Sequence, residues 1–195
     1  MRIHGIEPVR LYIFDNSKDY ASRAREALST LARVPDASLD CVAFFGHGWR
    51  DGCQLGVQTC MTKFADALAK KCKPDVTVIL YACSAGRDGD KDAKDDTQPG
   101  LGDDGGFADL LRDELVRRGM SPKIIAHTTD GDAVENPYVR VFDKTLTASG
   151  RWLVEPKSKL WSKWAKALKD DKSTLRYRFP FLSRESVEAE LTVGS

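Results

Sequence analysis

The run Val76-Thr77-Val78-Ile79-Leu80-Tyr81-Ala82 is apolar on both of its alternating faces. Continuous rather than alternating apolarity marks a strand covered by helices on both sides, hence a central strand of a parallel sheet. Before it, Met61, Phe64, Ala65, Leu68 and Cys72 recur at helical spacing and give an amphipathic helix that ends near Pro74. Further back, Cys41-Val42-Ala43-Phe44-Phe45 forms a second strand closed by Gly46-His47-Gly48. Leu11 to Phe14 forms a first strand, punctuated by Asp15-Asn16-Ser17. Asn16 or Ser17 can cap a helix carrying Tyr20, Ala24, Ala27, Leu28 and Leu31, which Pro35 stops.

After the central run, Arg87 to Gly106 is dense in Asp, Lys and Gly and is expected to be a long exposed loop. Phe107, Leu110, Leu111, Leu115 and Val116 then make a helix with Gly119 as its stop, and Lys123 to Ala126 supplies a fourth strand. Strand and helix alternate through residue 128, which predicts an α/β three-layer sandwich with a mostly parallel central sheet. Beyond it, Tyr138 to Phe142 and Trp152 to Val154 are expected as short strands. Lys157 to Lys169 is expected as a helix packing Trp161 and Trp164 onto the sheet. The segment from Arg176 onward is ambiguous.

A chain of 195 residues fits one domain with its own core. Thirty Lys and Arg against 29 Asp and Glu leave a net charge of +1, which gives no global footprint for nucleic acid or an anionic membrane. Five cysteines, at 41, 53, 60, 72 and 83, cannot all pair internally, and no C-x-x-C occurs. With three scattered histidines, a zinc cage has little support. No apolar run suits a signal peptide or a membrane span. A reduced, cytoplasmic protein with no metal or organic cofactor is expected.

His47 and Cys83 each directly follow a strand that looks buried, so both fall at the C-terminal edge of one parallel sheet, where open α/β sheets place ligands. Their separation of 36 residues holds one crossover, so the two strands can be neighbours. A cysteine there can attack a carbonyl as its thiolate, and a nearby imidazole can give a proton to the leaving amine. Gly48, lacking a side chain, lets its N–H approach a substrate oxygen, and the Cys83 N–H can complete the oxyanion hole.

Phe44-Phe45-Gly46-His47-Gly48 followed by Ala82-Cys83-Ser84-Ala85-Gly86 resembles the caspase-like (clan CD) cysteine peptidases. That group includes caspases, metacaspases, legumain, gingipains, separase and bacterial CHAT-domain peptidases. The resemblance covers roughly residues 10 to 130. It implies a single caspase-like domain over 1–195, with a catalytic core at about 10–130 and a C-terminal elaboration at about 131–195. It implies an endopeptidase with Cys83 as nucleophile, His47 as acid/base, and a peptide or protein substrate. Three features depart from the group. The chain is short of one strand-helix unit before the histidine, and the Asp-specific caspase signature is absent. Tyr81 also stands where metacaspases carry an acidic pocket residue.

Asp15, Asp51, Asp130 and Asp132 end or follow strands and could line a pocket for a basic side chain. The segment after the nucleophile is often a cleavable linker in caspases, which implies processing in the 87–104 loop after Arg87, Lys91 or Lys94. Asp88 to Asp92 has the acidic alternation of a calcium loop. However, Ala93 stands where glycine is needed and Pro99 where the closing glutamate belongs, so a solvated loop is the better reading. A cysteine hydrolase of the nucleophile-elbow type is disfavoured, because Tyr81 and Ala85 occupy the glycine positions and His47 precedes the nucleophile. The alternative to an enzyme is a catalytically inactive caspase-like or flavodoxin-like binding module. Oligomeric state and residue preference at the cut are not legible.

Overall fold

The computed structural model describes residues 14–87, 105–131, 136–145 and 150–170. Four helices and seven strands occur among them: α1 (Tyr20–Ala32), β1 (Leu39–Phe45), β2 (Gly48–Trp49), β3 (Gly52–Cys53), α2 (Met61–Lys71), β4 (Cys72–Tyr81), α3 (Phe107–Arg117), β5 (Lys123–His127), β6 (Val139–Phe142), β7 (Arg151–Trp152) and α4 (Lys159–Asp170). The expected strand at Leu11 to Phe14 falls largely outside the described residues. Among those residues, no helix is long and apolar enough to cross a membrane.

The main sheet has the order β1-β4-β5-β6-β7, with β4 inside it as its uninterrupted apolarity requires. Pairings β1·β4 and β4·β5 are parallel, whereas β5·β6 and β6·β7 are antiparallel. The sheet is therefore mixed, and the expectation of a mostly parallel sheet holds only up to β5. The reason lies in connection length: a parallel crossover needs a dozen or more residues, and the 11 between His127 and Val139 allow only a reversal.

Residue parity sorts the core into two layers. Val76, Val78 and Leu80 of β4 and Ala82 just beyond it, with Ile124, Ala126 and Phe142, pack against Ala24 and Ala27 of α1, Phe64 and Leu68 of α2, and Phe107, Leu111 and Leu115 of α3. Ile79, Tyr81, Ile125, Val139 and Val141 face the other way, onto Leu153, Trp164 and Leu168. Trp164 is fully buried there, as the sequence led us to expect. Helices thus cover both faces of the sheet.

Two local details differ from expectation. The N-cap of α1 is Asp19, whose carboxylate accepts from the Ser22 N–H at 2.7 Å. Asp15 already engages both the N–H and the hydroxyl of Ser17, which leaves that serine unavailable as a cap. β4 begins at Cys72 and contains Pro74 inside an irregularity of its pairing with β1, where the register passes from Leu39↔Cys72 to Cys41↔Thr77. A proline without an N–H is tolerated in a strand at such a bulge.

Candidate active site

From Cys41↔Thr77 the register of β1 on β4 runs without a break to Phe45↔Tyr81, and the Gly46 N–H donates to the Tyr81 carbonyl at 3.2 Å. His47 and Cys83 therefore leave the ends of two adjacent, aligned strands, as the motif spacing requires. His47 is exposed and Cys83 is partly exposed. The His47 backbone is bracketed by Gln54: its N–H donates to Gln54 Oε1 at 3.2 Å, and its carbonyl accepts from the Gln54 N–H at 2.8 Å. Gln54 in turn donates through Nε2 to Asn16 Oδ1 at 2.8 Å. Among the described residues the His47 imidazole holds no hydrogen bond.

The glycines of both motifs stand where backbones touch. A Cβ on Gly48 would lie 2.6 Å from Ala82 Cβ and 2.8 Å from the Cys83 carbonyl oxygen. The chain after the histidine is thus laid directly on the chain carrying the cysteine, a contact that only glycine permits. Gly86 does the same against β5, where a Cβ would meet Ala126 at 2.8 Å, and its N–H donates to the His127 carbonyl at 2.7 Å.

The hairpin of β2 and β3, unforeseen in the sequence, begins at Gly48 and turns through Arg50 and Asp51. The start of α3 fastens it to the loop that carries Cys83. The Phe107 N–H donates to the Arg50 carbonyl at 2.8 Å, and the Ala108 N–H donates to the Ala85 carbonyl at 3.1 Å. The first amides of a helix have no partner within it, and here they join the two loops that carry the site.

Cys83 is followed by Ser84 in left-handed backbone, with φ of +53°. That conformation is costly for a residue with a Cβ and persists only where its surroundings hold it. Two bonds do so: the Ser84 N–H donates to the Thr129 carbonyl at 3.3 Å, and its buried hydroxyl donates to Asp130 Oδ1 at 2.9 Å. The Cys83 thiol donates to the Gly131 carbonyl at 3.3 Å. Thr129 is itself tied to Asn136, which donates through Nδ2 to its carbonyl at 3.0 Å. Gln54, Ser84 and Asn136 are site residues that the sequence did not disclose, because each acts on a partner set by tertiary structure.

The other candidates are dispersed. The carboxylate of Asp15 is turned into its own Ser17 turn, Asp51 pairs with Arg50 at 2.8 Å, and Asp130 is engaged by Ser84. Asp132 lies outside the described residues. Among those that are described, no contact gathers these aspartates into one pocket. Lys91 and Lys94, with the calcium-like stretch, also fall outside. Arg87 is only 6% exposed, so its side chain would have to leave the fold to enter a peptidase pocket.

All five cysteines are free. Burial pushes the Cys41 and Cys53 thiols up to about 11 and the Cys72 thiol up to about 12. At neutral pH these three are inert thiols, with a thiolate fraction on the order of one in ten thousand or less. Tyr81 is buried, and desolvation raises its phenol well above the ordinary tyrosine range, so it is a neutral ring at any working pH. No protein-family model, curated protein or solved structure matches the chain.

Proposed function

We propose that the protein is a caspase-like cysteine peptidase acting through Cys83 and His47. The observation that carries this reading is the seating of Gly48 on Ala82 and Cys83 at the ends of two aligned parallel strands. It brings a thiol, an imidazole and two backbone N–H groups to one edge of one sheet.

In the proposed reaction the Cys83 thiol gives its proton to His47, and the sulfur attacks the peptide carbonyl carbon. The oxygen takes the charge, stabilised by the N–H groups of Gly48 and Cys83, a donor in that role contributing roughly 3–4 kcal/mol. As the C–N bond breaks, the His47 imidazolium protonates the leaving amine, and a thioester remains on Cys83. Water, deprotonated by His47, attacks the thioester, releases the carboxylic acid and restores the thiol. None of these steps uses a metal or cofactor. Processing in the 87–104 loop belongs to the same proposal. It fails if fully active protein has the intact mass of one uncut chain.

The experiment is labelling of wild type, Cys83→Ala and His47→Ala with iodoacetamide and with a peptidyl acyloxymethyl ketone, read by peptide mass. The expected result is ketone labelling confined to Cys83 and lost in His47→Ala. The second reading, a non-catalytic module, draws on the thiol hydrogen bond to Gly131. It gains if Cys83 resists both reagents in the native protein.

A further inference from the structure

Two residues back along each strand from the catalytic pair stand Phe45 and Tyr81, directly opposite each other in the register. Their rings are parallel to within 7° with centroids 4.3 Å apart. Tyr81 is 95% covered, and behind it His127 lies at 6.4 Å on the next strand. Phe45 is 51% exposed, one of only three large hydrophobic side chains left so open among the described residues. One face of the Phe45 ring rests on Tyr81, and much of the rest meets solvent. An open phenyl ring is unremarkable on a surface when it stands alone. Here it stands on a second ring at the mouth of the candidate site.

We infer that the Phe45–Tyr81 stack is the floor on which the peptidase receives the side chain next to the scissile bond, and that it selects an apolar, preferably aromatic, residue. This deepens the peptidase reading and rests on it. The carbonyl attacked by Cys83 belongs to the residue on the acyl side of the cut, so that residue's side chain is the one nearest the sulfur. Two residues of strand span about 6.6 Å, which matches the reach of a large side chain laid from the sulfur back over the rings. A ring face offers dispersion and apolar cover but no counter-charge. Of the described carboxylates that might have received a basic side chain, Asp15 is turned to Ser17, Asp51 is paired with Arg50, and Asp130 accepts from the Ser84 hydroxyl in the turn after Cys83. The phenol of Tyr81 is kept neutral by burial. An aspartate placed on this floor would lose water without gaining a partner, and a lysine or arginine would exchange its water for a cation–π contact of about 0.5–2 kcal/mol with no counter-charge beside it.

Three acyloxymethyl ketones that differ only in the residue beside the reactive group, Phe, Lys or Asp, test the inference. The readout is the rate of Cys83 labelling by intact mass on wild type, Phe45→Ala and Phe45→Leu. The expected result is a Phe reagent at least tenfold faster than the Lys and Asp reagents. That ratio should fall toward one in Phe45→Ala and be partly kept in Phe45→Leu, with thermal melts confirming that both variants fold. A faster Lys or Asp reagent, or a ratio unchanged in Phe45→Ala, overturns the inference while leaving the peptidase intact. If no reagent reaches Cys83, the peptidase reading fails and takes the inference with it. A wild-type dimer in sedimentation that Phe45→Ala dissociates would also overturn it, since the open ring would then be covered by a second copy.

Discussion

Replacing Gly48 by alanine separates a catalytic glycine from one that merely packs. The new methyl would lie 2.6 Å from Ala82 Cβ and 2.8 Å from the Cys83 carbonyl oxygen, where ordinary contact begins at 3.4 Å. The histidine and cysteine segments must then part by roughly 0.6–0.8 Å, since neither neighbour is the far end of a flexible side chain. Overpacking of this kind costs about 1–3 kcal/mol. For a chain of this length that lowers Tm by about 2–4 °C per kcal/mol, so the variant stays folded at 25 °C. The Gly48 N–H, however, moves away from the oxyanion, and loss of one such donor lowers kcat by about 10²–10³. Steady-state hydrolysis of a fluorogenic peptide with an aromatic residue before the cut measures this. Alkylation by iodoacetamide, which builds no oxyanion, should change far less. A Gly48→Ala enzyme with kcat within about threefold of wild type and a lowered Tm would refute the oxyanion role and leave Gly48 as a packing residue.

Asp130→Ala should lower kcat between about 10- and 100-fold with little change in KM, because the left-handed Ser84 loses a bond that fixes the nucleophile turn; Asp130→Asn, which keeps an acceptor oxygen, should restore most of it. The buried thiols predict an alkaline limit. Cys41, Cys53 and Cys72 rise from an ordinary value of 9.0 to about 11, 11 and 12, so the folded state holds their protons more tightly than the unfolded chain. Their contribution is complete below pH 9 and lost as pH rises through 11–12, and urea midpoints should fall across that window and not below it. At pH 7.5 the same three should remain unmodified by iodoacetamide while Cys83 reacts. Gly56→Ala, at φ +82° and with a Cβ that would fall 2.2 Å from the Tyr20 carbonyl oxygen, should cost roughly 2–5 kcal/mol by thermal melt.

What could be seen in the sequence was what short-range periodicity encodes. The unbroken apolarity of Val76 to Ala82 placed β4 inside the sheet, and the strand ends at Phe45 and Tyr81 placed His47 and Cys83 on one edge. Hidden features depend on contacts between distant segments. The bond from Ser84 to Asp130 crosses 46 residues and the one from Gln54 to Asn16 crosses 38, so neither leaves a local signature. Asp19 displaced Ser17 as a cap because Asp15 consumed the serine, a competition decided by a two-residue turn. The antiparallel half of the sheet was implicit in the brevity of the 128–138 connection, which composition alone does not weigh. Tyr81 could be singled out in the sequence, but its partner Phe45 became visible only with the register.

The two amides at the start of α3 have a consequence for a chain severed between Arg87 and Gly105. The helix beyond such a cut would remain hydrogen-bonded to the Arg50 and Ala85 carbonyls of the fragment before it, and β5 would remain zipped along β4. A nick there turns a covalent tether into a seam of backbone bonds with the core packed across it. Two bands on a denaturing gel would then migrate as a single particle through a sizing column, with His47 and Cys83 both on the N-terminal fragment.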